Sequence, residues 1–183
     1  MRKNFGNKTV ITPLPVLIIA TYDENGVPNA MNAAWGGQCD YHQIMFFLVP
    51  HKTTDNLKLK KAFTVSFANR KNVEIADYFG IESGHNANKI AKAGVHVKKS
   101  EFVDAPVIEE FPLTLECEVA EITDDLMVIG NVINMSADES ILDEKGNIDL
   151  GKLEPISFDS AANKYRVLGE VVGTAFHDGL KLK

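Results

Sequence analysis

The stretch GVPNAMNAAWGG, residues 26–37, decides how this chain is read. Before it runs Val16–Tyr22, apolar and β-branched, with the character of a buried strand. Between the two lies Asp23-Glu24-Asn25-Gly26, a hairpin-type turn in which Asn25-Gly26 suits positive φ. Pro28 to about Ala34 should therefore return antiparallel to Val16–Tyr22. Yet this returning segment is too polar for a core strand and too poor in charge for an ordinary surface loop. It contains two asparagines, one methionine and, just beyond, the only tryptophan of the chain. A flat, neutral, hydrogen-bonding surface suits it, whether that surface belongs to the protein or to a ligand.

Working outward, Ile44–Val49 (IMFFLV) and Phe63–Phe67 (FTVSF) read as further buried strands. Thr54 is placed to cap a short helix running through Lys61, with Asp55 favourable in its first turn. Val73–Phe79 and Ala87–Ala93 read as short helices, the second stopped by Gly94. Then β signals resume. Val95–Val103 begins with alternation, Leu113–Ile122 alternates apolar and polar residues with period two, and Leu126–Met135 follows the turn Asp124-Asp125. Tyr165–Leu168 and Val171–Phe176 are expected to add pairing near the C-terminus, and Asp143–Leu153 to form a loop with a short helix. Strands at short spacing, with helices inserted after the third and fourth, do not make the βαβα alternation of a parallel sheet. A mainly β fold, an antiparallel barrel with inserted helices, fits better.

The composition is that of one globular domain spanning residues 1–183, with 45% hydrophobic and 24% charged residues. Net charge is −6, and the densest basic cluster is only Lys58, Lys60 and Lys61, so no nucleic-acid partner is expected. No apolar run reaches the length of a membrane span, so a soluble, cytoplasmic protein with no membrane contact is expected. Cys39 and Cys117 form no CxxC pair; two reduced thiols or one disulfide both remain open. The five histidines, His42, His51, His85, His96 and His177, show no metal-ligand spacing, so no metal is expected. GxGxxG, GxxxxGK[ST] and GxSxG are all absent, which leaves the dinucleotide fingerprint, the P-loop and the hydrolase elbow without support.

Chemistry concentrates in residues 50–56, PHKTTDN, where a strand end meets a helix start. A helix N-terminus offers free N–H groups and partial positive charge, which suits phosphate. Lys52 adds a charge, Thr53 and Thr54 add hydroxyls, and His51 adds a ring nitrogen. The stretch Ser83 to Lys89 also places small residues before a helix carrying a lysine. By spacing alone it reads as a surface loop capped by Asn86 or Asn88.

Taken in order, PLPVLIIATYDENGVPNAMNAAWGG (13–37), HKTTDNL (51–57), FTVSFA (63–68), ADYFGIESG (76–84), NKIAKAG (88–94), VDAPVIEEFPLTLECEV (103–119) and VLGEVVGTAFHDG (167–179) resemble the flavin reductase-like family of FMN-binding split barrels, which includes the flavoredoxins. The resemblance implies a six-stranded antiparallel Greek-key barrel, a homodimer, and FMN near the dimer interface. It implies that the flavin ring lies against Asn32, Ala33, Ala34 and Trp35. It implies phosphate contacts from His51, Lys52, Thr53 and Asn56, with Ser83 and Lys89 on a loop that closes the site. The family's Arg-His-Thr is here His51-Lys52-Thr53, which moves the cation one position along; its Asp-Lys-Phe is here Asn88-Lys89-Ile90. The activity implied is an oxidoreductase drawing electrons from NADH or NADPH through FMN to flavin, oxygen or a protein partner. A flavoredoxin-type carrier without nicotinamide activity is the alternative, followed by a barrel binding another ligand such as haem. No catalytic residue is nominated.

Overall fold

The computed structural model describes residues Met1–Lys183. Twelve strands and four α-helices follow one another along the chain. Strands β1 (Leu14–Pro15), β2 (Leu17–Tyr22), β3 (Pro28–Ala33), β4 (Gly36–Asp40) and β5 (Gln43–Phe47) lead to helix α1 (Lys52–Lys60). Next come β6 (Ala62–Phe67), α2 (Val73–Ile81), α3 (Lys89–Ala93), β7 (Val97–Lys99) and β8 (Pro106–Ile108). The long strands β9 (Leu113–Ile122) and β10 (Met127–Ala137), helix α4 (Leu150–Leu153), and strands β11 (Ile156–Asp159) and β12 (Lys164–Val167) complete the regular structure, before a terminal 3-10 turn at Asp178–Leu182.

Seven strands form one antiparallel sheet in the order β3-β2-β6-β9-β10-β5-β4. The two edge strands, β3 and β4, are consecutive in the chain and separated only by Ala34 and Trp35. Three Cα–Cα steps lead from Ala33 to Gly36 and span no more than about 11 Å even when extended, so the sheet must curl until its edges meet. Six of the seven strands are those the sequence points to. The seventh, β4, is hidden in the tail of the opening stretch, where Gly36-Gly37 has no β propensity.

Period two explains the apolar run in β2. Leu17 and Ile19 face the barrel interior with Met31, Ala33, Ile44, Phe46, Phe63, Val65 and Val128. Ile18 and Ala20 face outward, where Ala76 and Phe79 of α2, Ile90 of α3, Ile108 and Ile156 bury them. Both faces of the strand are covered, so no polar alternation is possible. Leu57 of α1 joins the interior cluster and plugs one end. Cys117 also lies in that interior, where burial pushes its thiol up to about 12, while Cys39 is exposed; both are free thiols.

Three local expectations change. The N-cap of α1 is His51, not Thr54. Thr54 sits one turn in, and its hydroxyl accepts from the His51 backbone N–H at 2.8 Å. Val95–Val103 is a strand only over Val97–Lys99, because the Ser100 hydroxyl accepts from the amides of Phe102 and Val103 and turns the chain. Val171–Phe176 forms no strand. Val171 and Val172 are 92% and 90% exposed, no strand edge lies beside them, and the only order nearby is a local turn in which Thr174 N–H donates to Asp178. Elsewhere the readings hold: Asn88 caps α3 by accepting from Ala91 N–H, Gly94 takes the left-handed C-cap, and Asp143–Leu153 is a turn leading into α4.

The closure is tight at Gly36. A Cβ there would overlap the Phe46 ring and come within 2.6 Å of the Met45 carbonyl oxygen, whereas at Gly37 nothing lies within 4 Å. Gly36→Ala is expected to cost ~1–3 kcal/mol, the usual range for overpacking a filled core. Gly37→Ala, with open space around it, should change stability by no more than ~0.5 kcal/mol. Urea denaturation of both variants, compared at constant slope, checks this pair.

Candidate functional site

The edge strand β3 is hydrogen-bonded only to β2 in the sheet, so part of its backbone faces away from the ladder. Against that free edge lie the start of α1, the end of α2 and the 82–84 loop. Between them is a small cleft of about 50 Å³. Asn32, His51, Lys52, Thr53, Ser83 and Lys89 all line it, drawn from four separate parts of the chain. Six of the ten residues nominated from sequence are therefore brought together.

Helix α1 supplies the polar floor. Its first internal bond runs from Asp55 N–H to the His51 carbonyl at 3.1 Å, so the amides of Lys52 and Thr53, which line the cleft, have no intrahelical acceptor. Thr53 is buried, and its hydroxyl accepts from Asn29 Nδ2 at 2.8 Å. That leaves the hydroxyl hydrogen free to donate. Gly84 closes down on the same group: a Cβ there would overlap Asn29 Oδ1 and sit 3.3 Å from Lys52 Cβ.

The two lysines differ sharply. Lys52 Nζ is already paired with Asp23 Oδ2 at 3.0 Å. Burial opposes ionisation of Asp23, but Lys52 and the amides of Val27 and Asn25 outweigh it and hold the carboxyl below the usual range. Lys89 is only 4% exposed and has no carboxylate partner. Its Nζ donates to the Phe79 carbonyl at 3.0 Å, near the negative end of α2, and its two other hydrogens are uncommitted. Desolvation pulls this amine down to about 8, against a smaller pull upward from Glu82. A buried ammonium with unused donors calls for an anion. Partial desolvation, then Lys89, then His85 lower the His51 imidazole, so it offers a neutral ring to the cleft.

The other nominated residues lie elsewhere. Asn56 is buried under β2, with its Nδ2 donating to Thr21 Oγ1 at 3.0 Å, and does not line the cleft. Ala33 points into the barrel interior. Ala34 lines an adjoining groove that meets the cleft at Asn32 and Gly80. Trp35 is 69% exposed, and its carbonyl accepts from Phe47 N–H at 2.9 Å, extending the β4–β5 ladder.

Four contributors had not been nominated. Asn29 stands in the opening stretch and shares the small, polar character of Asn32, so it was findable. Asp23 reads only as a turn residue, because its partner is 29 positions away. Asp77 and Tyr165 line the adjoining groove and bond to each other across 88 positions, with no local signal for either.

A family model described as flavin reductase like domain matches residues 10–154. Flavoredoxin of Desulfovibrio vulgaris (Miyazaki F) is similar at 35% identity with a TM-score of 0.94, covering 98% of this chain and 100% of that one. Flavoredoxin from Methanosarcina acetivorans matches at 25% identity and a TM-score of 0.91 over the whole of both chains. An FMN-binding domain of a flavin reductases-like enzyme from Shewanella baltica OS155 shares the fold, with a TM-score of 0.77 at 18% identity over 91% of this chain and 96% of that one. Likeness in sequence across residues 10–154 and in fold across nearly the whole chain lead to one conclusion: this protein belongs to the flavin reductase-like family and is built as its split barrel.

Proposed function

We propose that the protein is an FMN-dependent oxidoreductase. The observation that carries this is the buried Lys89 amine, which has two uncommitted donors and faces the free amides of α1. Lys89, the Lys52 and Thr53 amides and the Thr53 hydroxyl form a set of donors suited to a phosphate. Lys52, neutralised by Asp23, contributes position more than charge. Asn32 and Ala34, with Gly80 between cleft and groove, suit the flat amphipathic ring. Ala33 supports this edge from inside the barrel, Ser83 holds the 82–84 loop over it, and His51 adds a neutral polar wall. Bound FMN would supply the redox chemistry, receiving electrons from NADH or NADPH and passing them to free flavin, oxygen or a protein acceptor.

A second reading is favoured by the 35% identity to a flavoredoxin. On that reading the chain carries electrons on FMN but receives them from a protein partner. Anaerobic mixing of the FMN-loaded protein with NADH and with NADPH separates the two. Rapid bleaching of the flavin absorbance with either is the expected result. No bleaching with both supports the carrier, and a protein that takes up no FMN defeats both readings.

Phosphate recognition has its own test. Lys89→Met should weaken FMN binding about 10- to 100-fold, the ~1.5–3 kcal/mol typical of hydrogen bonds to charged groups. Riboflavin, which lacks the phosphate, should bind the variant and the parent alike. In the parent, the free-state Lys89 loses its proton as pH rises through about 8, whereas a bound phosphate holds that proton in place. FMN affinity should therefore fall as pH rises above about 8 and riboflavin affinity should not. Fluorescence titration across pH measures both.

A homodimer belongs to the same proposal. On the outer face of β5 and β10, Phe47 lies opposite Met127 and Met45 opposite Ile129, with Trp35 beside them. Phe47 is 46% exposed on this apolar face. A second copy would cover it. Sedimentation equilibrium should give a dimer for the parent and a monomer for Phe47→Glu; a monomeric parent would sink this part of the proposal.

A further inference from the structure

Beyond strand β12 the chain leaves the body of the protein. Residues 168–183 are exposed throughout, and their hydrogen bonds run only among residues 174–183. The segment is nonetheless apolar and shaped. Val171, Val172, Phe176 and Leu182 stand almost wholly in solvent, with Leu168 and Leu180 about half exposed. Thr174 N–H donates to Asp178 Oδ2 at 2.8 Å, and Leu180 N–H donates to the His177 carbonyl at 3.0 Å. These bonds gather residues 174–182 into a small knob at the end of the tether 168–173. A single exposed apolar side chain needs no explanation, but six large ones within residues 168–182 form a patch of the kind that marks an interaction site.

The place where this arm is rooted points to its partner. Tyr165, in the strand that runs into the arm, lines the same groove as Ala34. The next residue, Trp35, is exposed, and its carbonyl accepts from Phe47 N–H. From Phe47 an uncovered apolar stripe follows the outer face of β5 and β10 through Ile129 to Ile133 and Met135. The root of the arm is thus continuous with the face assigned above to a second copy. A twofold axis sets the same patch of each copy against the other, so both arms would start at the interface, each facing the other copy. Size argues the same way. The corner and stripe offer only about eight residues, whereas a specific interface takes about 20–30 a side. The arm supplies most of the difference. Its tether spans up to about 20 Å, enough to carry the knob along the stripe.

We propose that residues 168–182 are an arm exchanged between two copies of this chain, each arm lying on the apolar stripe of the other copy. This inference rests on the homodimer reading and names the segment that each copy lends.

Two differently tagged chains test it, both carrying Cys39→Ser to remove the exposed native thiol. One carries Gly179→Cys in the knob, where nothing lies within 4 Å, and the other carries Ser136→Cys beside Met135. After subunit exchange, a short bismaleimide should join chains bearing different tags. In a chain carrying both cysteines the link should likewise join two chains, and a link closed within one chain overturns the proposal, since the arm then folds on its own body. A dimer that gives no link overturns it too, and leaves the arm to a different protein. Separately, a chain ending at Val167 and the variant Phe176→Asp should each raise the dimer dissociation constant at least about tenfold in sedimentation, the effect of losing a central apolar anchor. Their urea midpoints, measured at dilutions where the parent is monomeric, should match the parent, because the arm touches nothing in its own copy. Undiminished dimerisation without the arm overturns the exchange and leaves the homodimer standing. A parent that is monomeric at every concentration overturns both.

Discussion

Two residues, Ala34 and Trp35, join the opposite edges of a seven-stranded sheet. No flat sheet satisfies that link, since its edges would stand about 29 Å apart at strand spacing. Curling is thus a covalent necessity and not merely a packing preference, and the rest of the architecture follows from it. The interior closes on one apolar cluster, with Leu57 of α1 as its plug. The free side of β3 is left where α1 begins, so unpaired strand groups and unpaired helix amides meet in one cleft. Trp35, at the corner of the turn, is forced outward beside Phe47, which is why the only tryptophan of the chain is exposed.

Within that cleft, charge is distributed by pairing and not by count. Lys52 and Lys89 carry the same formal charge, but Asp23 holds one at 3.0 Å and only a carbonyl holds the other. The paired lysine is half-buried and stable as it stands. The unpaired one bears a desolvation cost that an anion would relieve. The displacement of the family's cation by one position, to Lys52, is less important than it first looks, because Lys89 is the lysine left unpaired at the cleft.

What the sequence reveals and conceals follows from the range of the forces involved. Strands β2, β6 and β9 are legible because their period and β-branched content are local properties. Strand β4 is not, because Gly36 sits there for its lack of a side chain against Phe46, a fact about another strand. The start of α1 is misjudged by three residues because Thr54 has the right chemistry for a cap but bonds backward to His51. Asn56 has the right type for a ligand, and β2 claims it through Thr21. Apolar content alone suggests a strand at Val171–Phe176, where no neighbouring edge exists to make one.

The odd composition of GVPNAMNAAWGG is the result of one strand serving three environments. Met31 and Ala33 face the barrel interior. Asn29 turns to the helix start and steadies Thr53. Ala30 packs outward against the helical layer, and Asn32, on that same outward face, bonds to α2. The two asparagines are not equivalent, although they sit three residues apart in an apparently uniform run. Asn29 is satisfied by a hydroxyl that itself retains a donor, so it supports a site that gives hydrogen bonds. Asn32 donates from its amide nitrogen to the Ala76 carbonyl at 2.9 Å, so it ties the strand edge to α2. One asparagine thus steadies the start of α1 and the other fastens the strand to α2, which is why this edge carries polar residues that neither a core strand nor an ordinary surface loop would need.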